Sequence, residues 1–263
     1  MPFTQANGAR MNYRIDGPPG APTLVLSNSL GTNLTMWDPQ ISALAKQFRV
    51  LRYDTRGHGE SAVTPGPYSI AQLGRDVMGL LDALGIERVH FCGLSMGGMI
   101  AMWIGTNEPG RVNRLLLCNT AAKIGSLEGW NSRIEMVRGQ GMGAIADTQA
   151  QRWFTAAFVA NSPSVIVSAR QMIANTSPDG YAANCAAIRD IDQRESISRI
   201  RARTLVISGL HDPVIPAADS RYLADTIPGA RLAELDASHL SNLETPDDFT
   251  TALLTFLNEP EGK

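Results

Sequence analysis

The feature that most constrains this chain is an apolar run that leads into a serine flanked by glycines. Val89–Leu94 has the composition of a buried strand, Gly93-Leu94-Ser95-Met96-Gly97 matches Gly-x-Ser-x-Gly, and a helical pattern follows to about Glu108. This order predicts a nucleophile elbow, in which Ser95 occupies a sharp turn between strand and helix. We expect a strained Ser95 backbone, and glycines where a Cβ would collide with neighbouring chain. A hydroxyl presented at the positive end of a helix suits attack on a carbonyl.

Gly-x-Ser-x-Gly fixes three of five positions and also occurs in unrelated turns, so its context decides the interpretation. Strand-like and helix-like segments alternate in residues 1–120 and 200–263, which predicts an α/β fold with a mostly parallel sheet and helices on both faces. Further strands are expected at Thr23–Ser27, Phe48–Tyr53, Val112–Cys118, Thr204–Ser208 and Arg231–Leu235, with Met11–Asp16 as an antiparallel edge strand. Helices are expected around Ile41–Ala45 and at Ile70–Leu84, Ala217–Thr226 and Pro246–Leu257.

Residues 121–199, called the insertion below, break this alternation. They contain no strand pattern, and helical patches are expected at Leu127–Val137, Ala144–Phe158, Ser164–Thr176 and Gly180–Ile191, with turns at 139–143 and 177–180. Ligands bind at the carboxyl ends of strands in open α/β sheets, and the insertion follows such an end. We therefore expect residues 1–120 and 200–263 to form the core and the insertion to form an all-helical cap.

Composition excludes several other classes of protein. The 263 residues carry a formal net charge of −2, so the chain lacks the excess of positive charge that is typical of proteins that bind nucleic acid or anionic membranes. No apolar run reaches the roughly 18 residues of a membrane span, and the first residues lack a signal-peptide pattern. Cys92, Cys118 and Cys185 do not make a disulfide framework. A cytoplasmic location is the expectation, and the sequence does not indicate an oligomeric state.

A serine nucleophile needs a base, which is oriented in turn by a third group. In chains with this elbow the order is serine, acid, histidine, and Ser95, Asp212 and His239 satisfy it. Asp212 and His239 each follow a predicted strand, so both are expected at one edge of the sheet. Asp236 is the alternative acid, but it is close to His239 in sequence and ends a strand. His90 lies inside the elbow strand and is expected to be structural.

These residues have distinct expected roles. His239 Nε2 takes the Ser95 proton and later returns it to the leaving group, while Asp212 fixes the tautomer at Nδ1. Two backbone N–H groups must stabilise the oxyanion, and Met96 and Leu30 are the expected donors. The histidines show no metal-ligand spacing, and no dinucleotide fingerprint is present. No metal or cofactor is therefore expected.

With these residues the chain resembles the α/β-hydrolases over nearly its whole length. The resemblance rests on the elbow and on the loop Asp54–Ser61. More narrowly, the chain resembles 3-oxoadipate enol-lactonases of the β-ketoadipate pathway for aromatic breakdown. The narrower signals are Ser27-Asn28-Ser29-Leu30-Gly31 with Met36-Trp37, Ala237-Ser238-His239-Leu240-Ser241-Asn242, and the insertion stretches 129–133, 152–154 and 187–190. Many α/β-hydrolases carry His-Gly where this chain has Asn28-Ser29 and glycine where it has Ser238, and the enol-lactonases share both departures.

The resemblance implies that the substrate is a small anionic enol-lactone bearing an acetate side chain. Ser95 would open the ring, and water would then release 3-oxoadipate. The side-chain carboxylate needs an anchor, and arginine suits it. The insertion offers Arg133, Arg138, Arg152, Arg170, Arg189 and Arg194. Arg133 is favoured because it lies one helical turn from Trp130.

Three alternatives stay open from the sequence. Trp130 and Trp153 either line an apolar substrate pocket or pack the insertion on the core. The chain could also be another carboxylesterase or a carbon–carbon bond hydrolase of the same fold. A ligand-binding sensor that uses this scaffold to bind a partner protein is the third reading.

Overall fold

An eight-stranded sheet forms the centre of the protein, whose computed structural model describes residues 2–260. The strands are β1 (Phe3–Ala6), β2 (Ala9–Asp16), β3 (Thr23–Ser27), β4 (Arg49–Tyr53), β5 (Val89–Leu94), β6 (Val112–Cys118), β7 (Arg203–Gly209) and β8 (Arg231–Leu235). Their spatial order is β1-β2-β4-β3-β5-β6-β7-β8. Strands β3 to β8 run parallel, and β1 and β2 pair antiparallel at one side.

Helices connect the parallel strands. Their bounds are α1 (Asp38–Leu44), α2 (Ile70–Ala83), α3 (Met96–Asn107), α4 (Leu127–Gln140), α5 (Gly143–Arg152), α6 (Ala156–Asn161), α7 (Pro163–Ala174), α8 (Pro178–Asp190), α9 (Ala217–Thr226), α10 (Ser241–Glu244) and α11 (Pro246–Leu257). Local sequence sets several of these ends. The Ser69 hydroxyl caps α2 by accepting from Gln72 N, and Gly85 follows that helix with a φ of +62°.

The central strands are buried along their whole length, as both β3 and β5 show. Strands covered by helices on both faces read as continuous apolar runs, and this is why the sequence predicts their bounds so closely. The predicted α/β fold with a mostly parallel sheet is confirmed.

The prediction that Met11–Asp16 forms an edge strand is wrong in one respect. That segment lies in β2, which is antiparallel as expected, but β1 pairs beside it and forms the edge. β1 is short and largely exposed, so it carries no hydrophobic run. The signal for it was the Asn7-Gly8 turn, because both residues have positive φ and Ala6 pairs with Ala9 across a two-residue hairpin.

The insertion contains helices α4 to α8 and no strand within the residues that the structure describes. The single helix expected at Ala144–Phe158 is wrong, because α5 ends at Arg152 and Thr155 caps a separate α6 through its hydroxyl. Helix α4 also runs past the predicted turn at Gly139 and ends before Gly141, whose φ is +74°. The turn expected at 177–180 is instead the capped first turn of α8.

Residues 2–260 include no helix that is both long and apolar enough to cross a membrane. In the same part of the chain, no group of three or more His, Cys, Asp and Glu side chains is arranged to hold a metal ion.

Candidate active site

Ser95 occupies the sharp turn between β5 and α3. Its backbone has φ +56° and ψ −116°, a strained conformation for a residue with a Cβ. A Cβ added to Gly93 would lie 2.1 Å from Gly97 O, and one added to Gly97 would lie 2.2 Å from Ser27 O. The turn is held because Ser95 N donates to Cys118 O over 2.9 Å and Thr120 Oγ1 donates to Ser95 O over 2.7 Å. The elbow geometry predicted from the sequence is confirmed.

His239 and Asp212 form a buried pair, with His239 Nδ1 2.8 Å from Asp212 Oδ2. Asp212 Oδ1 accepts from the backbone N–H groups of Val214 and Ile215 over 2.7 and 2.9 Å. Burial would raise the pKa of Asp212, but the His239 contact, with the Ile215 and Asn119 hydrogen bonds, outweighs it and holds the pKa below its usual range. An ionised Asp212 at Nδ1 leaves Nε2 of His239 to act on a hydroxyl.

Asn119 connects the acid to the loop that carries His239. Its Nδ2 donates to Asp212 Oδ2 and to Ser238 O, each over 3.1 Å. Its Oδ1 accepts from Ser241 Oγ over 2.6 Å. Asn119 has a φ of +44°, a region that asparagine tolerates better than most residues. Sequence reasoning missed this residue, although it directly follows a predicted buried strand.

Ser95, Asn119, Asp212 and His239 form one row along the sheet, called the edge row below. They follow β5, β6, β7 and β8, which are adjacent in the sheet, and all lie at the carboxyl ends of these strands. The shared edge expected for Asp212 and His239 is therefore confirmed. Asp236, the alternative acid, instead lies 2.7 Å from His211 Nε2 with 88% of its side chain exposed.

Two backbone N–H groups beside Ser95 are available as donors. Within residues 2–260, neither Leu30 N nor Met96 N donates to a protein acceptor. Gly97 lies against Ser27 O, which brings the first turn of α3 next to residues 28–32, called the β3 loop below. Both predicted oxyanion donors therefore lie near the elbow with their hydrogen-bonding capacity unused.

The side chain of Asn28 anchors the β3 loop. Its Nδ2 donates to Tyr53 O over 2.7 Å, and its Oδ1 accepts from Trp37 Nε1 over 2.9 Å. All three residues are buried. The Asn28 and Trp37 signals in the sequence are thus two ends of one hydrogen bond.

Comparison with known proteins agrees with this geometry. Residues 22–246 match the α/β-hydrolase fold family. The chain belongs to the α/β-hydrolase family.

Three similar proteins refine this assignment. 3-Oxoadipate enol-lactonase 2 of Acinetobacter baylyi is 44% identical over 94% of this chain and 93% of its own. The crystal structure of the enol-lactonase from Burkholderia xenovorans superposes with a TM-score of 0.97 at 50% identity, covering 98% of this chain and 100% of its own. A putative carbamate hydrolase RutD of Azorhizobium caulinodans is 33% identical over 98% of this chain and 99% of its own.

In this hydrolase a pocket of about 270 Å³ lies between the insertion and the loop after β7. Trp130, Arg133 and Arg152 line it on the insertion side, and Val214 lines it beside Asp212. The Arg133 guanidinium lies 5.4 Å from the centre of the Trp130 ring, so the shared helical face expected for this pair is confirmed. Two larger grooves measure about 490 and 790 Å³, and the second shares Arg152 with this pocket and includes Ser238, next to His239.

Arg133 is one of the arginines of the insertion with which no carboxylate of the described residues pairs. Its Nη1 donates to Gln149 Oε1 over 3.1 Å. By contrast, Arg170, Arg189 and Arg194 pair with aspartates. The Arg133 guanidinium also lowers the pKa of Tyr181, although burial is the larger effect and raises that pKa overall.

Trp153 lies outside this pocket. It is buried, and its backbone O accepts over 3.0 Å from the N–H of Leu240, the residue that follows His239. Glu244 adds a second link, since its Oε2 accepts from Ser238 N over 2.8 Å and its Oε1 accepts from Thr155 N over 3.0 Å. These hydrogen bonds fix the junction of α5 and α6 to the loop that carries His239. Contact of Trp153 with a substrate stays a prediction.

Proposed function

We propose that this hydrolase opens the ring of 3-oxoadipate enol-lactone to give 3-oxoadipate, in the cytoplasmic breakdown of aromatic compounds. The observation that carries the proposal is the similarity to enol-lactonases at 44% and 50% identity over nearly the whole chain. The pocket supports the same substrate, because that lactone bears a carboxylate and neither Arg133 nor Arg152 forms an ion pair with a carboxylate of residues 2–260.

Ser95 is the proposed nucleophile. Its Oγ attacks the ring carbonyl while His239 Nε2 takes the proton, and Asp212 stabilises the imidazolium. The developing oxyanion accepts hydrogen bonds from Leu30 N and Met96 N. The ring C–O bond breaks to expel an enolate, which takes a proton and becomes a ketone. Water activated by His239 then attacks the acyl-enzyme. The ester bond to Ser95 Oγ breaks, 3-oxoadipate leaves, and the Ser95 hydroxyl is restored.

The insertion, residues 121–199, is the proposed cap over this chemistry. Ser95 is only 7% exposed and His239 only 1% exposed, so the site is largely covered. A covered site excludes water and strengthens the electrostatic contacts to the oxyanion. The core, residues 1–120 and 200–263, supplies the edge row.

Arg133 is the proposed anchor for the substrate carboxylate. Tyr181 lies between this anchor and the β3 loop: burial raises its pKa, the nearby Arg133 guanidinium opposes that rise, and its ring lies against Gly31. An added Cβ on Gly31 would lie 3.2 Å from that ring. Trp130 supplies the apolar wall next to the guanidinium.

Arg133→Ala is expected to lower kcat/KM for the enol-lactone about 10–100-fold, because a hydrogen bond to a charged group is lost. The loss should appear mainly in KM, since the proposed anchor contacts the carboxylate and not the atoms of the breaking bond. Hydrolysis of p-nitrophenyl acetate should change little. The matched control is Arg138→Ala, an exposed arginine on the same helix α4. Equal losses on the lactone and the neutral ester would instead indicate a structural role for Arg133.

A substrate panel tests the function itself. Purified enzyme is assayed with 3-oxoadipate enol-lactone, p-nitrophenyl acetate and ethyl carbamate, and we expect the highest kcat/KM on the lactone. The carbamate is included because a putative carbamate hydrolase is among the similar proteins. A higher kcat/KM on either uncharged substrate would overturn the lactonase proposal and leave the hydrolase family assignment in place.

A further inference from the structure

His58 is a buried residue that the proposed chemistry does not use. It lies in the loop after β4, is 1% exposed, and contacts the β3 loop: Gly31 N donates to its Nε2 over 2.9 Å. A backbone N–H can only donate, so Nε2 must carry the lone pair and the ring proton must lie on Nδ1. Because Nε2 accepts, Nδ1 is the ring nitrogen that can donate to the nearby Arg56 carbonyl. Burial lowers the pKa of His58 to about 4, so the ring is neutral at pH 7.

This contact fixes the backbone next to Leu30. The peptide bond between Ser29 and Leu30 contains both Ser29 O and Leu30 N. Ser29 O accepts from Thr32 Oγ1 over 2.7 Å and from Thr32 N over 3.2 Å. The following peptide unit contains Gly31 N, which His58 holds. Both peptide planes that flank Leu30 are therefore fixed by hydrogen bonds, and the unused Leu30 N–H keeps one direction.

The same histidine lies where the insertion contacts the core. Asn184 Nδ2 of α8 donates to Arg56 O and to Gly180 O, each over 2.8 Å, and lies 3.4 Å from His58 Nδ1. The backbone of α8 lies in close contact with the backbone of the loop after β4, since a Cβ on Gly180 would lie 2.2 Å from Gly57 O. Helix α8 therefore packs directly on the loop that carries His58.

We infer that His58 is a positioning residue that aims the Leu30 N–H at the oxyanion by holding Gly31 N. The inference rests on the proposed hydrolase function. It requires the histidine to act through the β3 loop without touching the substrate. Outright loss of one oxyanion donor typically lowers turnover about 10²–10³-fold. A misaimed donor is expected to lower it less, by about 10–100-fold.

Two substitutions separate the two ring nitrogens. His58→Asn keeps an amide N–H near the Nδ1 position for the Arg56 carbonyl but removes the acceptor for Gly31 N. His58→Gln is longer and can bring an amide oxygen to the Nε2 position, which restores that acceptor. We expect His58→Asn to lower kcat on p-nitrophenyl acetate about 10–100-fold with KM within about 2-fold. His58→Gln is expected to recover most of the lost rate.

Inhibitor binding distinguishes aiming from general damage. Phenylboronic acid, which forms a tetrahedral adduct with an active-site serine, should bind His58→Asn more weakly by the same factor as kcat. Adipate, a ground-state carboxylate ligand, should keep its inhibition constant. Unchanged kcat and boronate binding in His58→Asn would overturn the inference. So would a folded His58→Gln enzyme whose kcat lies about 10–100-fold below that of the wild type. This second comparison needs only the wild type, so it decides the matter if His58→Asn does not fold.

The choice of ester keeps two failures apart. Turnover of p-nitrophenyl acetate depends on Ser95 and the oxyanion donors and not on recognition of a lactone. A wild-type enzyme that opens no enol-lactone but hydrolyses this ester contradicts the proposed function, and the comparison of His58 variants still stands.

Discussion

Replacing Ser95 with alanine is expected to lower kcat about 10⁴–10⁶-fold on every ester. The alanine removes the atom that forms the acyl-enzyme in the proposed mechanism, while His239 and Asp212 keep their contact. The fold should persist, because the Ser95 backbone N and O make the hydrogen bonds that hold the elbow and the hydroxyl makes none to the described residues. Steady-state kinetics with the enol-lactone and with p-nitrophenyl acetate measure the loss.

Ser208→Ala is the matched control. Ser208 is a buried serine of β7 whose hydroxyl has no hydrogen-bond partner among residues 2–260, so its removal should leave kcat within about 2-fold. Circular dichroism and thermal unfolding verify that both variants fold. If Ser95→Ala retains more than about 1% of kcat, another group is the nucleophile.

Asp212→Asn is expected to lower kcat about 10⁴-fold. The carboxylate accepts from the N–H at His239 Nδ1, which sets the tautomer that leaves Nε2 free to take the Ser95 proton. An amide can present its own N–H to that nitrogen and so favour the opposite tautomer. Since the pKa of Asp212 lies below its usual range, the wild-type carboxylate is ionised throughout neutral pH. The variant has no carboxyl group at position 212, so raising the pH cannot restore this charge.

Asp236→Asn is the control for the acid. Asp236 contacts His211 at the surface and should tolerate the change with kcat within about 2-fold. A larger loss in Asp236→Asn than in Asp212→Asn would reverse the assignment of the two aspartates. Both variants are compared on the same lactone and ester, over a range of pH.

Most of the core could be predicted from the sequence because its signals are local. A strand buried on both faces is a continuous apolar run, and the bounds of β3, β5 and β6 match their predictions. The bounds of β8 match as well, although this strand lies at the edge of the sheet and is partly exposed. The elbow adds a motif whose glycines are required by contacts of 2.1 and 2.2 Å with neighbouring backbone. The order of serine, acid and base then identifies the other two residues of the proposed triad.

Other parts of the site depend on contacts between distant segments and leave no local pattern. Asn119 lies 93 residues from Asp212, and only the pairing of β6 with β7 brings them together. The Gly31–His58 hydrogen bond joins two loops through a backbone N–H, which carries no sequence signature. The break between α5 and α6 combines the local Thr155 cap with two long-range contacts, since Trp153 O accepts from Leu240 N and Thr155 N donates to Glu244 Oε1.

The edge row also bears on the order in which the chain can become active. Ser95 and Asn119 end two strands that are close in sequence, whereas Asp212 and His239 follow strands that come after the whole insertion. Closing a long loop costs chain entropy before its contacts repay it, so β7 and β8 are expected to pair late during refolding. The elbow can then form while its base is still absent. Recovery of esterase activity after denaturation should therefore lag behind recovery of secondary structure. Activity should return only when β7 and β8 have joined the sheet.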